Sequence, residues 1–386
     1  GTYIMTKEIN SFVEPIYITR PILPDLNELY EIIKDVWRSQ RLTNNGPQHK
    51  LLEERLLEVL KVPQLSLFNN GTIALIVGCQ SLRLSGEVIT TPFTFPATPH
   101  VLTWNNIRPV FCDVDPITMN IDVEKMESMI TPQTTGILAV HVFGTPCDVV
   151  KIQEVADRYG LKVIYDAAHA FGVEIDGAGI GTFGDISMFS FHATKLFHTA
   201  EGGALTCKDS NLKLRFDLLK NFGIKNEEEV MMPGINGKMN ELQAALGIVV
   251  LNYIEEEKKK REIIRNTYLE CLKDIEGLSF ISDGSPVVKK NYQYLVIRIN
   301  ERLFGCSRDF VWREFKQYNV FTRKYFYPLC SEYPCYKHLP SSNEGNLTNA
   351  HKVAGEVLSL PFYGDLSCDD VEKICNILKS FRGKRS

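Results

Sequence analysis

The chain has 386 residues, of which 44% are hydrophobic and 23% are charged. That length exceeds the usual size of a single core and predicts two domains. The formal net charge of −4 gives no general attraction to nucleic acid or to an anionic membrane surface, so neither is expected as a partner. The ten cysteines lack the paired spacing of a zinc site, and we expect reduced thiols and no bound metal.

No apolar run approaches the roughly 20 residues of a membrane span, and the first residues lack a secretory signal pattern. We therefore expect a cytoplasmic protein. From about residue 50 to residue 250, short apolar runs alternate with amphipathic stretches. The predicted helices include residues 73–84, 149–159 and 240–251, and the predicted strands are residues 65–68, 87–90, 109–113, 136–141, 162–165, 186–191 and 204–207. Strands separated by helices indicate an α/β fold with a mostly parallel sheet that carries helices on both faces.

The pattern changes after residue 255. Glutamates pair with lysines or arginine at i,i+4 in the run EEEKKKR at 255–261, which predicts the solvated face of a long helix. A strand at 292–298 and helices at 308–318 and 369–381 are predicted to follow. We place the domain boundary here, with a large domain at 1–255 and a small domain at 256–386.

A carboxylate follows one of the apolar strands directly. The run KVIYD at 162–166 ends in Asp166. Because ligands bind at the carboxyl ends of strands in open parallel sheets, Asp166 marks a candidate site. The alternative is a carboxylate that only caps the next helix.

A lysine follows another predicted strand, in the run FSFHATK at 189–195. A lysine in such a loop is commonly solvated. Here Lys195 lies between a hydroxyl-rich strand end and the Gly202-Gly203 turn, where backbone can approach closely. A lysine nucleophile needs a partly dry, cation-rich site that lowers its pKa.

Two further turns complete the candidate site. The run FNNGT at 68–72 leads from a strand into a helix, and the free N–H groups at a helix N-terminus bind phosphate. The alternative is an ordinary helix capped by Thr72. The run TTPFTFPAT at 90–98 places Phe95 just after a strand end, although core packing alone would also explain this ring.

Together these residues supply an amine for an aldehyde, a carboxylate for a ring nitrogen, a phosphate cradle and a stacking ring. Pyridoxal phosphate requires all four. A carboxylate beside the pyridine nitrogen keeps that nitrogen protonated, because an opposite charge stabilises the charged form. The protonated ring is then an electron sink for carbanion chemistry. The sequence therefore predicts pyridoxal phosphate on Lys195.

The motifs also resemble those of a known family. DAAH at 166–169, SFHATK at 190–195, EGG at 201–203, NGT at 70–72 and GINGKMNELQAA at 234–245 are similar to the signature of the DegT/DnrJ/EryC1/StrS sugar aminotransferases. The resemblance covers nearly the whole chain in the same order. It implies the fold-type I architecture of aspartate aminotransferase, with a seven-stranded sheet in the large domain and a smaller C-terminal α+β domain. It also implies a homodimer with active sites at the interface.

The resemblance implies catalytic roles for three residues. Lys195 forms the Schiff base with pyridoxal 5′-phosphate, Asp166 binds the pyridine nitrogen, and His169 lies near the 3-oxygen of the ring. L-glutamate is the implied amino donor and leaves as 2-oxoglutarate. The freed Lys195 amine then acts as general base and acid in a ping-pong transamination.

The remaining cofactor contacts are also implied by the resemblance. Gly71, Thr72 and Ser190 hold the phosphate, and Phe95 stacks on the ring. Asn236 reaches the phosphate from the other subunit.

Substrate contacts are expected from a separate group of residues. Lys238 departs from the arginine often found at its position, so a bidentate contact becomes a point charge. The candidates are Trp37, Thr43, Asn45, His192, Lys238, Arg323 and Tyr325. Lys324, which lies between Arg323 and Tyr325 in the sequence, is expected to contact the diphosphate of the sugar nucleotide together with them.

Within the family, the stretches 65–72, 192–195 and 233–240 are most similar to nucleotide-sugar 4-aminotransferases. This implies dTDP-4-keto-6-deoxy-D-glucose as acceptor and dTDP-4-amino-4,6-dideoxyglucose as product, for O-antigen or other polysaccharide biosynthesis. The alternatives are a 3-aminotransferase acting on a dTDP-3-keto-6-deoxysugar and a non-catalytic binding or regulatory homologue. A further alternative is a cofactor-dependent sugar dehydratase of the same family. Such an enzyme carries histidine in place of the lysine, so Lys195 argues against it.

One motif points elsewhere. The run GIGTFG at 179–184 matches the GxGxxG pattern of dinucleotide-binding folds. Such a site needs a strand before the motif and a helix after it, whereas a strand is predicted after this one. We therefore expect no dinucleotide site here.

Overall fold

The computed structural model describes residues 8–281 and 285–384. Within these residues none of the helices is both long and apolar enough to cross a membrane. The helices are Leu26–Ser39 (α1), Pro47–Leu60 (α2), Gly71–Ser81 (α3), Ala97–Trp104 (α4), Val123–Ser128 (α5), Val149–Tyr159 (α6), Ser210–Leu219 (α7), Glu241–Leu251 (α8), Ile254–Leu272 (α9), Glu301–Phe304 (α10), Arg308–Phe315 (α11), Thr348–Glu356 (α12) and Cys368–Ser380 (α13).

The strands form three sheets. They are Gln64–Phe68 (β1), Glu87–Thr90 (β2), Arg108–Phe111 (β3), Thr134–Val140 (β4), Lys162–Asp166 (β5), Glu174–Ile175 (β6), Ala178–Gly179 (β7), Ile186–Ser190 (β8), Gly203–Cys207 (β9), Leu278–Phe280 (β10), Val288–Lys289 (β11), Val296–Ile299 (β12) and Val357–Ser359 (β13).

The largest sheet has seven strands in the order β1-β9-β8-β5-β4-β2-β3. Strands β2, β3, β4, β5 and β8 pair in parallel, while β9 runs antiparallel to both of its neighbours. These are the seven strands that the sequence predicts, with bounds that differ by no more than two residues. The predicted mostly parallel α/β sheet is therefore confirmed.

Helices cover both faces of this sheet, as strand β5 illustrates. Ile164 packs on one face with Leu75 of α3, whereas Val163 and Tyr165 pack on the opposite face with Ile152 of α6. Successive side chains of a strand point to opposite faces. Because both faces are buried, the strand reads as a continuous apolar run rather than an alternating one.

The C-terminal part contains the sheet β10-β12-β13, which packs with α9, α11 and α13 around one apolar cluster. The N-terminal segment joins it, since Ile16 belongs to this cluster and pairs with Val320. The domain boundary at residue 255 stays a prediction. The predicted strand at 292–298 pairs as a strand only from Val296 onward.

Helix α9 corrects one expectation. The run at 255–261 was expected to be a solvated face, but Arg261 is only 1% exposed and Lys258 is also buried. Arg261 lies 3.6 Å from Glu257 and donates a hydrogen bond to the Tyr292 carbonyl at 3.1 Å. The expectation holds for the exposed Glu255, Glu256, Lys259 and Lys260 but is wrong for Lys258 and Arg261. Helical spacing reveals the Glu257 partner of Arg261, whereas it cannot reveal the tertiary bond to the Tyr292 carbonyl.

A buried carboxylate holds the loop that precedes helix α2. The two oxygens of Glu241 accept hydrogen bonds from the backbone N–H groups of Gln48 and His49, each at 2.9 Å. These N–H groups lie at the N-terminus of α2, which favours a negative charge. Glu241 thus fixes the loop that carries Thr43 and Asn45.

We expect Glu241→Ala to lower the free energy of unfolding by about 2 kcal/mol, because two buried N–H groups lose a charged acceptor. Thermal and denaturant unfolding measure the effect. The exposed Glu54 of helix α2 provides the control, and Glu54→Ala should change the free energy by less than about 0.5 kcal/mol. Equal unfolding midpoints for the two variants would contradict this role.

Candidate functional site

A cavity of about 270 Å³ opens at the carboxyl-terminal edge of the large sheet. Strands β4, β5 and β8 end at it, as the parallel topology predicts. It brings together ten of the residues that the sequence singles out: Gly71, Thr72, Phe95, Asp166, His169, Ser190, His192, Lys195, Arg323 and Tyr325.

Asp166 is the last residue of β5 and is buried in this cavity. One carboxylate oxygen accepts a hydrogen bond from the Thr98 hydroxyl at 2.8 Å, and the other accepts one from the Ala168 N–H at 3.0 Å. Burial raises the pKa of Asp166, although these bonds and Lys195 act against the rise. A cation placed against this carboxylate would therefore stabilise its charged form.

Lys195 lies in the loop that follows β8, and its side chain faces the same cavity as Asp166. Burial lowers the pKa of Lys195, while the charges of Asp166 and Tyr325 oppose the change. The lowered pKa increases the unprotonated fraction of the amine, which is the nucleophilic form. The structure thus gives Lys195 the partly dry surroundings that the sequence analysis requires. The expected cation-rich site is wrong, because the charges that act on Lys195 favour the protonated amine.

His169 is held as a neutral ring. Its Nδ1 accepts a hydrogen bond from the Phe143 N–H at 3.3 Å, so the ring proton is assigned to Nε2. The ring stacks on Phe326 with centroids 5.5 Å apart and planes inclined by 3°. Burial, with a smaller effect of Lys195, keeps the pKa of His169 well below its usual value. His169 therefore presents a neutral N–H donor.

The opposite end of the cavity contains the N-terminus of helix α3. Asn70 caps this helix, because its side chain accepts a hydrogen bond from the Ile73 N–H at 2.8 Å. The alternative that Thr72 caps this helix is therefore wrong. A Cβ atom on Gly203 would lie 2.7 Å from the Gly71 nitrogen, so glycine permits the close approach of β9 that the sequence analysis infers.

Phe95 lines the cavity and is 57% exposed, whereas Phe93 is buried in the core. The alternative that Phe95 packs in the core is therefore wrong. An exposed ring at the cavity edge has a free face on which a flat ligand can stack.

His192 lies toward the mouth of the cavity. Its Nδ1 is 2.9 Å from the Thr194 hydroxyl, and its Nε2 is 3.6 Å from a carboxylate oxygen of Glu201. Arg323 lies over the Tyr325 ring at 5.2 Å from its centroid. Lys324 does not line the cavity, because its amine pairs with Asp309 at 3.0 Å.

Five other predicted site residues lie outside this cavity. Thr43, Asn236 and Lys238 line a separate surface depression, and Asn45 lines an adjoining one together with Lys238. Lys238 donates a hydrogen bond to the Asn236 side-chain oxygen at 2.9 Å. Trp37 is an exposed residue of α1. A single chain thus does not bring these residues to Lys195.

The sequence analysis missed several residues of the site. The most prominent are the buried Thr98, which binds Asp166, and the cavity-lining Gln293, Tyr294 and Phe326 from the C-terminal part. Thr98 lies in the run that includes Phe95, so its position after a strand end was an available signal. The other three reach the cavity only through tertiary packing, which leaves no local pattern.

The GIGTFG run at 179–184 forms a short 3₁₀ turn at Ile180–Thr182, and strand β8 follows it. The strand predicted after the motif is therefore confirmed, and it stands where a dinucleotide site would need a helix. The run instead packs closely, since a Cβ atom on Gly179 would lie 2.0 Å from the Leu60 carbonyl oxygen.

The model of the DegT/DnrJ/EryC1/StrS aminotransferase family matches residues 25–379. The chain belongs to this family. Pyridoxal phosphate is the family's cofactor, and the cavity has the groups that this cofactor requires. A lysine amine with a lowered pKa, a buried carboxylate that a cation would stabilise, a helix N-terminus and a free ring face meet in one place. The residues present therefore fit the cofactor.

Two relatives in the family are similar over almost their whole length. The dTDP-4-amino-4,6-dideoxy-D-glucose transaminase of Escherichia coli is 48% identical over 362 residues, covering 94% of this chain and 97% of that protein. The protein of the same name from Shigella dysenteriae is 43% identical and covers 96% of this chain and 100% of that protein.

Solved structures of aminotransferases have the same fold. DesI, crystallised in the presence of its TDP-sugar product, superimposes with a TM-score of 0.92 at 35% identity, covering 97% of this chain and 95% of that chain. Helicobacter pylori PseC, an aminotransferase involved in pseudaminic acid biosynthesis, superimposes with a TM-score of 0.86 at 28% identity, covering 95% and 98%.

Proposed function

We propose that the enzyme transfers the amino group of L-glutamate to C-4 of dTDP-4-keto-6-deoxy-D-glucose. The products are dTDP-4-amino-4,6-dideoxy-D-glucose and 2-oxoglutarate. The observation that carries this proposal is the 48% identity, over 94% of the chain, to a transaminase named for that product. The cytoplasmic location and the use of the product in O-antigen biosynthesis stay predictions.

Bound pyridoxal phosphate supplies an electron sink for the carbon that carries the amine. Asp166 would bind the pyridine nitrogen, with Thr98 orienting its carboxylate. His169 would donate its Nε2–H to the 3-oxygen, and the N-terminus of α3 with Thr72 and Ser190 would hold the phosphate.

Lys195 performs the proton transfers. Its Nζ atom has a pKa lowered by burial, so the amine can accept the proton from the α-carbon of the amino donor. The same atom later returns a proton to the sugar carbon that receives the amine. Asp166, which raises the pKa of Lys195 by its negative charge, limits this lowering and keeps the amine basic enough to accept the proton.

Arg323 and Tyr325 are the proposed contacts for the anionic parts of the substrates. Arg323 is exposed at the cavity and stacks on Tyr325, which orients its planar charge without neutralising it. A guanidinium in this position suits the diphosphate of a nucleotide sugar or the carboxylate of the donor. His192, Trp37, Thr43 and Asn45 are further proposed substrate contacts.

We also propose a homodimer with shared active sites. Asn236 and Lys238 share their surface depression with Thr43, and the exposed apolar side chains Leu42 and Leu242 line it too. Exposed apolar groups with polar side chains beside them are typical of an interface, whose apolar core is surrounded by a polar rim. In a two-fold dimer this surface would face the Lys195 cavity of the partner.

Mixing two inactive variants tests the shared site. We expect Lys195→Ala and Asn236→Ala dimers, denatured and refolded together in equal amounts, to recover about a quarter of the parental activity, because half of the random dimers are hybrids with one intact site of two. Activity of the mixture no greater than that of the separate variants would contradict the arrangement.

A panel of ketosugars tests the acceptor. The enzyme with L-glutamate is offered dTDP- and GDP-linked 4-keto and 3-keto 6-deoxysugars, and NMR identifies the aminated carbon of the product. The proposal predicts the highest kcat/KM for the dTDP-linked 4-keto sugar and an amine at C-4. A preference for the 3-keto isomer would favour the 3-aminotransferase alternative.

A further inference from the structure

Residues 290–295 connect strands β11 and β12 in an irregular stretch outside both ladders. Two buried side-chain amides, Asn291 and Gln293, lie in this stretch and bind backbone on the far side of the cavity. We propose that Gln293 is a positioning residue whose amide fixes Lys195 for its covalent link to the cofactor. The proposal rests on the role of Lys195 in the proposed function.

Gln293 binds the two peptide groups that flank Lys195. Its side-chain oxygen accepts a hydrogen bond from the Leu196 N–H at 2.8 Å. Its side-chain nitrogen donates a hydrogen bond to the Thr194 carbonyl at 3.2 Å. Gln293 is only 6% exposed, so water does not readily replace these bonds. One side chain therefore restrains the backbone on both sides of Lys195.

Asn291 extends the same arrangement to the turn that follows β5. Its nitrogen donates to the carbonyl oxygens of His169 and Phe171, at 2.9 Å and 3.0 Å. Its oxygen accepts a hydrogen bond from the Gln293 N–H at 3.2 Å. The two amides thus join the Lys195 loop to the turn that carries His169, and hold both relative to Asp166.

The Lys195 loop needs such a restraint. It lies between β8 and β9 and contains no helix or strand of its own. A neutral amide suits the task because it donates and accepts at once without adding charge beside the lysine. Losing it would leave the buried Leu196 N–H without this acceptor and the part-buried Thr194 carbonyl without this donor. A displacement of about 1 Å at a reacting atom can cost on the order of 100-fold in rate.

The test uses Gln293→Met, which keeps the length of the side chain and removes both hydrogen bonds. Apoprotein is mixed with pyridoxal phosphate, and the covalent link is followed by absorbance. Borohydride reduction and peptide mass spectrometry then identify the attached lysine. We expect link formation to slow by about tenfold or more, consistent with two lost hydrogen bonds, while the non-covalent affinity for the cofactor changes by less than about threefold.

Asn120 supplies a matched control. It is as buried as Asn291, and its amide likewise binds two peptide groups, the Thr145 carbonyl and the Val142 N–H, each at 2.9 Å. Asn120→Leu should lower the melting temperature as Gln293→Met does, yet form the link at the parental rate. Equal slowing in both variants would mean a general loss of packing and would overturn the inference.

The remaining outcomes are also decisive. A parental rate in Gln293→Met overturns the inference and leaves the proposed function intact. If reduction of the parent enzyme attaches the cofactor to a residue other than Lys195, the proposed function is contradicted instead. Should Gln293→Met fail to fold, Gln293→Glu, which retains the acceptor for Leu196, is expected to slow the link by at least about threefold, and a parental rate there overturns the inference.

Discussion

Replacement of Lys195 by alanine is expected to lower kcat for amino transfer by about 10⁴-fold or more. Proton transfer by a positioned side chain supplies up to about 10⁴-fold, and the variant also loses the amine that attaches the cofactor. The neighbouring Asp166 and His169 have no amine to substitute for it. Steady-state release of 2-oxoglutarate, with purified enzyme and added cofactor, measures the effect.

Another buried lysine provides the control. Burial also lowers the pKa of Lys258, but this residue lies on α9 outside the Lys195 cavity. Lys258→Met should retain kcat within about threefold while altering thermal stability, since its role is confined to packing. A Lys195→Ala variant that keeps a rate near that of the parent would refute the proposed mechanism.

The second large effect concerns Asp166. We expect Asp166→Asn to lower kcat by about 10³-fold, the upper range for losing one preorganised electrostatic contact, because a neutral amide no longer stabilises a protonated ring nitrogen. The substitution preserves size, its amide oxygen can still accept the Ala168 N–H, and its amide nitrogen can donate to the Thr98 hydroxyl once that hydroxyl rotates. The fall should therefore appear in kcat with little change in the melting temperature.

Asp113 is the matched carboxylate. It is buried as well, and it accepts hydrogen bonds from the Lys125 amine and the Ala350 N–H, outside the Lys195 cavity. Asp113→Asn should lower the melting temperature and leave kcat within about threefold. The account of Asp166 would fail if the two variants lost activity equally, because burial alone would then explain the loss.

The strands of the sheet were predictable because they follow local signals, although their order was not predicted. Most of them are mainly apolar runs, and burial on both faces makes those runs conspicuous. Asp166 and Ser190 end two of these strands, and parallel strands bring their carboxyl ends to one edge. The convergence of these two side chains with Lys195 therefore follows from topology alone.

The site contacts that could not be predicted join residues that are distant in the sequence. Gln293 reaches the Lys195 loop from 97 residues away along the chain, and Phe326 reaches His169 from a segment still further away. The buried state of Arg261 likewise depends on the Tyr292 carbonyl. Hydrophobic periodicity carries no information on which distant polar groups will meet, so these contacts required the three-dimensional structure.

The central claim is that Lys195 holds a cofactor that accepts the amino group of L-glutamate. The most direct measurement is the absorbance of the cofactor-loaded enzyme in a glutamate titration without sugar, with 2-oxoglutarate measured in parallel. The account predicts that glutamate abolishes the band of the lysine-linked cofactor, releases one 2-oxoglutarate per subunit, and that dTDP-4-keto-6-deoxy-D-glucose then restores the band. An unchanged band with no 2-oxoglutarate released would contradict it.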